Sequence, residues 1–168
     1  MADQARIAFS VVRTLSGMPI PKEEFLEAAT QTFKKGAPVV LNAAGYITEC
    51  GADPAMILGI ATRDGQNGTA AGDKKQVIEL AHVDNCFLGN LDNGLGTIGG
   101  TQATIGAAGY GIAKHAGSGK WYIDGSDTTA KRVKVWKFYD EGLGLITDNL
   151  ARFFFSIDPT YMQFNKTA

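Results

Sequence analysis

The chain has 168 residues, enough to bury about 70% of its unfolded surface as one domain with extensions, with no need of a metal or disulfide staple. Hydrophobic residues make up 45% and charged residues 20%, with a net charge of −1; this excludes a disordered chain and removes any overall attraction to nucleic acid or an anionic membrane. The 21 glycines, nearly double the usual share of about 7%, argue for turns and short strands and against long helices.

Residues 1–31 open with an apolar alternation. Ile7, Phe9 and Val11 fall on one face of an extended segment, with Arg6, Ala8 and Ser10 on the other. Asp3, Arg6 and Arg13 interrupt this apolar part and spoil a signal-peptide core, so cytoplasmic synthesis is expected. Met18-Pro19-Ile20-Pro21 forces an extended path, and the helix formers of residues 22–29, KEEFLEAA, predict a short helix. The whole region reads either as a flexible tail or as an arm that orders by adding a strand to a neighbouring subunit. Its Ile, Phe and Val favour the arm.

Residues 32–157 carry the pattern of a mainly β domain. An apolar run at 38–41, a turn at 42–45 and a returning strand at 46–49 form a hairpin, followed by a buried strand at 56–61. Gly59 in that strand marks a bulge or a close backbone approach. A loop at 64–72 precedes an alternating strand at 75–83, and Cys86 to Leu88 extend the sheet or start another strand. In residues 89–119, ten of 31 are glycine, which predicts a long insertion over the domain rather than a regular sheet. Its stretch 93–113 has no charge yet lacks the continuous apolar character of a membrane span. Leu95, Ile98, Ile105, Tyr110 and Ile112 are the candidate oligomer or partner contacts there. Strands follow at 120–124, 132–139 and 151–157, where Phe153, Phe154 and Phe155 require cover on both faces or one Phe at an interface. A C-terminal tail, 158–168, follows.

No reactive constellation emerges. The GLGTIGG run at 94–100 lacks the Gly-Lys-Ser/Thr ending of a phosphate-binding loop. His82 and Asp84 share a strand face, but with only His115 besides, no metal set forms, and Cys50 and Cys86 read as two buried free thiols. No serine sits in a G-x-S-x-G setting, and the pairs Glu23-Glu24 and Asp140-Glu141 read as solvated ends. Lys131, Arg132, Lys134 and Lys137 beside Trp136, Phe138 and Tyr139 read as a basic outer strand face, and nucleic acid is not expected as a partner. No cofactor and no enzymatic activity are expected.

The order F-K-x-G-x-P-V-V-L, turn, strand, D-P, I-L-G-I-A over residues 33–64, with Lys35-Gly36, Gly45, Asp53-Pro54 and the strand Ile57 to Ala61, resembles the head decoration or capsid cement proteins of tailed bacteriophages. The resemblance implies a small SH3-like or β-tulip-type barrel with an extended N-terminal arm, a short helix and the glycine-rich insertion. It further implies a homotrimer on the outer capsid surface of the virion, partnered by the major capsid protein. The arm residues Arg6, Ile7, Phe9, Val11 and Arg13 become the expected capsid contact. Other readings are a tail-tube, head-completion or fibre-base protein, or a glycan-binding barrel whose site uses Trp121, Tyr122, Trp136 and Tyr139.

Overall fold

The structure is a computed structural model that describes residues 5–107, 109–139 and 145–164. The chain is mainly β, in two sheets. One has the order β2 (Lys22–Leu26), β6 (Lys75–Leu80), β5 (Gly59–Ala61), β3 (Pro38–Leu41) and β4 (Ile47–Glu49). The other runs β10 (Val133–Phe138), β11 (Arg152–Ile157), β7 (Asn85–Asp92), β9 (Trp121–Asp124) and β8 (Gly111–Lys114), with β1 (Ser10–Thr14) added to β7. All named pairings are antiparallel except β7 with β9.

The sheets do not form a closed barrel. The first and last strands of the five-stranded sheet approach one another, since Glu27 bridges Ile47 just beyond β2 and the Ala28 N–H donates to the Ile47 carbonyl at 3.0 Å, but ladder pairing ends there. One hydrophobic core serves both sheets: Val39, Ile47, Leu58, Ile60 and Ile78 meet Phe9, Phe87, Phe153 and Phe155.

The short helix expected at 22–29 is instead strand β2 and its continuation. All five residues of β2 pair with β6 from Lys22 opposite Glu79 to Leu26 opposite Lys75. Helix propensity is worth only tenths of a kcal/mol per residue, and Pro21 delivers the chain extended beside an open strand edge. Cross-strand pairs Lys22 to Glu79 (3.0 Å) and Lys75 to Glu24 (2.8 Å) accompany the ladder. The exposed Glu23 and Glu24 also make this edge a poor template for further strands.

The insertion expected at 89–119 is shorter than its glycines suggest. Strand β7 continues through Gly89 to Asp92 and β8 occupies Gly111–Lys114; the described residues between them are otherwise irregular, with a 3-10 turn at Gln102–Thr104, and residues 115–119 form a turn after β8. Its glycines serve close packing: a Cβ on Gly100 would lie 2.2 Å from Phe153 Cζ. The described part of the tail, through Phe164, is docked as well. Met162 is buried and bridges Ile57, and the Gln163 side chain accepts from the Leu41 N–H (2.9 Å) and donates to the Leu41 carbonyl (3.2 Å). Phe153, Phe154 and Phe155 are all covered, on both faces of β11.

Regular pairing in the 56–61 segment starts only at Gly59, where a Cβ would sit 2.2 Å from the Glu79 carbonyl oxygen on the neighbouring strand. Backbone on both sides cannot yield as a flexible side chain would. Gly59→Ala is therefore expected to lower stability by about 1–3 kcal/mol, read as a reduced urea midpoint with unchanged slope.

Candidate contact surfaces

The N-terminal segment is built into its own chain rather than extended as an arm. Arg6 reaches the fully buried Asp92 carboxylate through Nε and Nη2, each 2.8 Å from Oδ2, while Asp92 Oδ1 accepts from the N–H groups of Asn93 (2.7 Å) and Gly96 (2.8 Å). The Ile7 N–H donates to Asn90 Oδ1 at 2.7 Å, and Lys120 Nζ donates to the Arg6 carbonyl at 2.7 Å. Phe9 packs on Phe155 with ring centroids 4.9 Å apart, and Val11 is buried beside it. Of the expected arm contacts, Phe9 and Val11 are in the core, Arg6 and Ile7 are half-buried, and Arg13 is exposed.

The insertion residues divide similarly. Leu95 is 77% exposed, Ile98 and Ile105 are half-buried against the core, and Tyr110 and Ile112 lie within it. The structure thus does not gather the five into one surface. Nor does it gather the aromatics of the glycan reading: Trp121 and Tyr122 are buried, and Trp121 Nε1 donates to Glu49 Oε1 at 3.0 Å.

An exposed apolar tip went unread in the sequence. Leu15, Met18 and Val83 are 58%, 66% and 49% exposed, in the β1–β2 and β6–β7 connections. The two connections are fastened together: the Leu15 N–H donates to the Asp84 carbonyl (2.8 Å), the Ser16 N–H to Asp84 Oδ1 (2.8 Å) and the Ser16 hydroxyl to Asp84 Oδ2. That hydroxyl bond is the main reason the Asp84 carboxyl lies below the ordinary range. Gly17, at φ 76°, makes the turn that projects the flanking residues. The signal available in the sequence was two large apolar residues flanking a glycine between strands.

Among the described residues no group of three or more His, Cys, Asp or Glu could hold a metal ion. His82 is exposed, its Nδ1 accepting from the Asp84 N–H at 3.2 Å; His115 Nδ1 lies 3.0 Å from the Ser118 hydroxyl. Both cysteines are free and buried. Burial, then Glu49, pushes the Cys50 thiol up to about 12; burial raises Cys86 against the pull of Arg13. Neither is a ready thiolate at neutral pH. The Asp140-Glu141 pair lies outside the described residues. No helix among the described residues is long and apolar enough to cross a membrane.

Two carboxyl groups converge on Gly111. Asp53, itself at φ 46°, accepts from the Ile112 N–H at 2.9 Å, and Asp127 accepts from the Thr129 hydroxyl (2.7 Å), the Thr129 N–H (2.8 Å) and the Ala130 N–H (3.0 Å). Burial, reinforced by Asp127, raises the Asp53 carboxyl above its ordinary value; the Thr129 hydroxyl and the two N–H groups lower Asp127 to about 2.

No protein-family model matches the chain, and no curated protein or solved structure matches it either.

Two predictions follow from this geometry. Because Phe9 and Val11 of the following strand belong to the core, Phe9→Ala is expected to cost about 3–5 kcal/mol, and removal of residues 1–13 to abolish cooperative thermal unfolding rather than leave a folded domain. For the carboxyl pair, both groups titrate near 3.8 when unfolded. The Asp53 contribution is complete below that value and lost as pH rises through its raised folded-state value, whereas that of Asp127 is present above 3.8 and lost as pH falls toward about 2. Asp53→Asn, which stays neutral and tolerates a positive φ, is expected to flatten the rising-pH limb of a melting-temperature profile while retaining the acid-side loss.

Proposed function

We propose that the chain is a structural virion protein that decorates the exterior of a phage head and cements neighbouring major capsid protein subunits, stabilising the expanded capsid. It acts without chemistry, as a homotrimer on the outer capsid surface. The observation that carries this reading is the apolar tip of Leu15, Met18 and Val83, held in a fixed shape by Ser16 and Asp84 and turned to solvent. The pattern over residues 33–64 supports it, and so does the bridge of Glu27 to Ile47, which suits a five-stranded SH3-like or β-tulip-type arrangement.

The mode of attachment differs from an inserted arm. Docking through Ile7, Phe9 and Val11 would strip a strand from the chain's own sheet and expose its core, so attachment falls to residues already outward: Val12, Arg13, Leu15, Met18 and Val83. A preformed tip loses little conformational entropy on binding, and three copies in a trimer raise the effective concentration of each weak contact.

The test is the mass of the purified protein in solution together with co-sedimentation on expanded, undecorated phage heads. A trimer that pellets saturably is the expected result. Changing Leu15, Met18 and Val83 together to Ser is expected to weaken pelleting by on the order of tenfold to a hundredfold, with the melting temperature unchanged because all three are exposed. A monomer, or a ring of six or twelve, that ignores heads would overturn the reading; a ring would favour a tail-tube or head-completion role.

A further inference from the structure

The outer face of the six-stranded sheet carries side chains that the fold does not require. Phe87, Phe153, Phe155, Val133 and Val135 point inward, so the alternate residues of β7, β10 and β11 point away from the core. There Phe154 is packed by Trp136 (centroids 6.1 Å) and edge-on by Tyr139 (5.4 Å). The Arg13 guanidinium caps them, 5.6 Å from the Phe154 centroid and 5.9 Å from that of Trp136. Arg152 and Lys137 flank this group along β11 and β10.

Two bulges place these residues. In β1 the register shifts between Val11 and Arg13, so Arg13 stands opposite Cys86 on the outer face although Val11, two residues earlier, is in the core. In β10 it shifts between Val135 and Lys137, so Lys137 pairs with Phe154 while Phe138 returns to pack on Phe153. Bulges re-aim side chains in this way next to functional surfaces. Each of them here keeps a cation out of the core and adds it to the same outer face.

Among the described residues, part of the charge of this face has no ion-pair partner. Lys134 pairs with Asp158 at 3.4 Å, but no ion pair forms on Arg13, Lys137 or Arg152 among the described residues, and Arg152 Nε is buried with no hydrogen-bond partner. A chain of net charge −1 that gathers cations on one face, without an ion-pair partner among the described residues, is matched to an anionic partner there.

We infer that this face binds an acidic, partly apolar segment of a partner protein, with carboxylates on Arg13, Arg152 and Lys137 and apolar side chains on Trp136, Leu88 and Val12. The alternative polyanion, single-stranded nucleic acid, needs open rings for base stacking. Phe154 is almost fully covered and roofed by Arg13, and Trp136 is only half-exposed, so no stacking platform is offered. A guanidinium already held against aromatic rings presents its planar fork to a carboxylate with little further loss of freedom. The inference shares Val12 and Arg13 with the attachment surface proposed above but does not require a phage head, since an acidic segment on any partner meets the same groups.

The test uses the full chain and fluorescein-labelled peptides of alternating Glu and Leu, of Gln and Leu, and of Lys and Leu, beside an oligothymidylate matched in charge to the first. Fluorescence anisotropy is expected to detect the Glu-Leu peptide best, with binding that weakens as salt is raised. Arg13→Glu with Lys137→Glu is expected to weaken it at least about tenfold, with a lower melting temperature because Arg13 also lies against Phe154 and Trp136; the exposed Lys137 carries the charge test at an unchanged melting temperature. Lys137→Glu alone, which disturbs no ring contact, gives a smaller loss in the same direction, and Lys137→Arg, which keeps the cation, retains binding. Absence of salt-sensitive binding to the Glu-Leu peptide, equal binding by the charge-reversed protein, or tighter binding of the oligothymidylate would each overturn the inference.

Discussion

Strand β7 is the element on which the remaining structure depends. One edge of it takes β11 and the other takes first β1 and then β9, and Phe87 at its centre stacks on Phe155 with centroids 5.5 Å apart. Phe9 also packs on Phe155, so the N-terminal and C-terminal parts of the sheet are joined through a few aromatic rings. Rings of this size bury large apolar areas and add the preference of tilted and stacked geometry. A strand that supplies pairing edges and core side chains to three neighbours leaves none of them free to act as a detachable arm.

Charge completes what the aromatic cluster begins. β1 would present an unpaired edge away from β7, yet the Val11 N–H on that edge donates to Glu79 Oε2 at 3.0 Å, a carboxylate supplied by the other sheet. Glu79 also holds Lys22, so one side chain links three strands across the two sheets. At the far end of β7, Asp92 meets Arg6 and two backbone N–H groups, and burying that carboxylate is tolerable because every lone pair is engaged. These polar joints fix which segments meet; the rings beneath supply most of the driving force.

Much of the strand pattern was legible because it rests on alternation against one apolar core. The hairpin of β3 and β4, the strands β6, β9, β10 and β11, and the close approach at Gly59 fall where the residue pattern puts them. Three kinds of information were not legible. The helix formers of 22–26 lost to an open edge on β6, a tertiary effect that no local propensity contains. The glycines of 89–100 hid the end of β7, since Gly89 and Gly100 are small to admit Phe9 and Phe153 rather than to break the strand. A further group of residues was ambiguous for the same reason: Phe9, Val11, Tyr110 and Ile112 look like anchors in sequence and are buried in the core here, and whether an apolar residue anchors a partner or a core depends on which space the fold leaves unfilled.

The two bulges show why the outward face was hidden from a periodic reading. A period of two carries Phe9 and Val11 inward and predicts Arg13 inward with them; it likewise sends Val133, Val135 and Lys137 to one face. A guanidinium and an ammonium group cannot be buried unpaired beside Phe155 without a large desolvation cost, and one extra residue in each strand removes the conflict. The same extra residue brings Arg13 over Trp136 and Phe154 and sets Lys137 alongside. Core exclusion of the cations and assembly of the cationic aromatic face are therefore consequences of one local device used twice, and a regular strand at either position would lose both together.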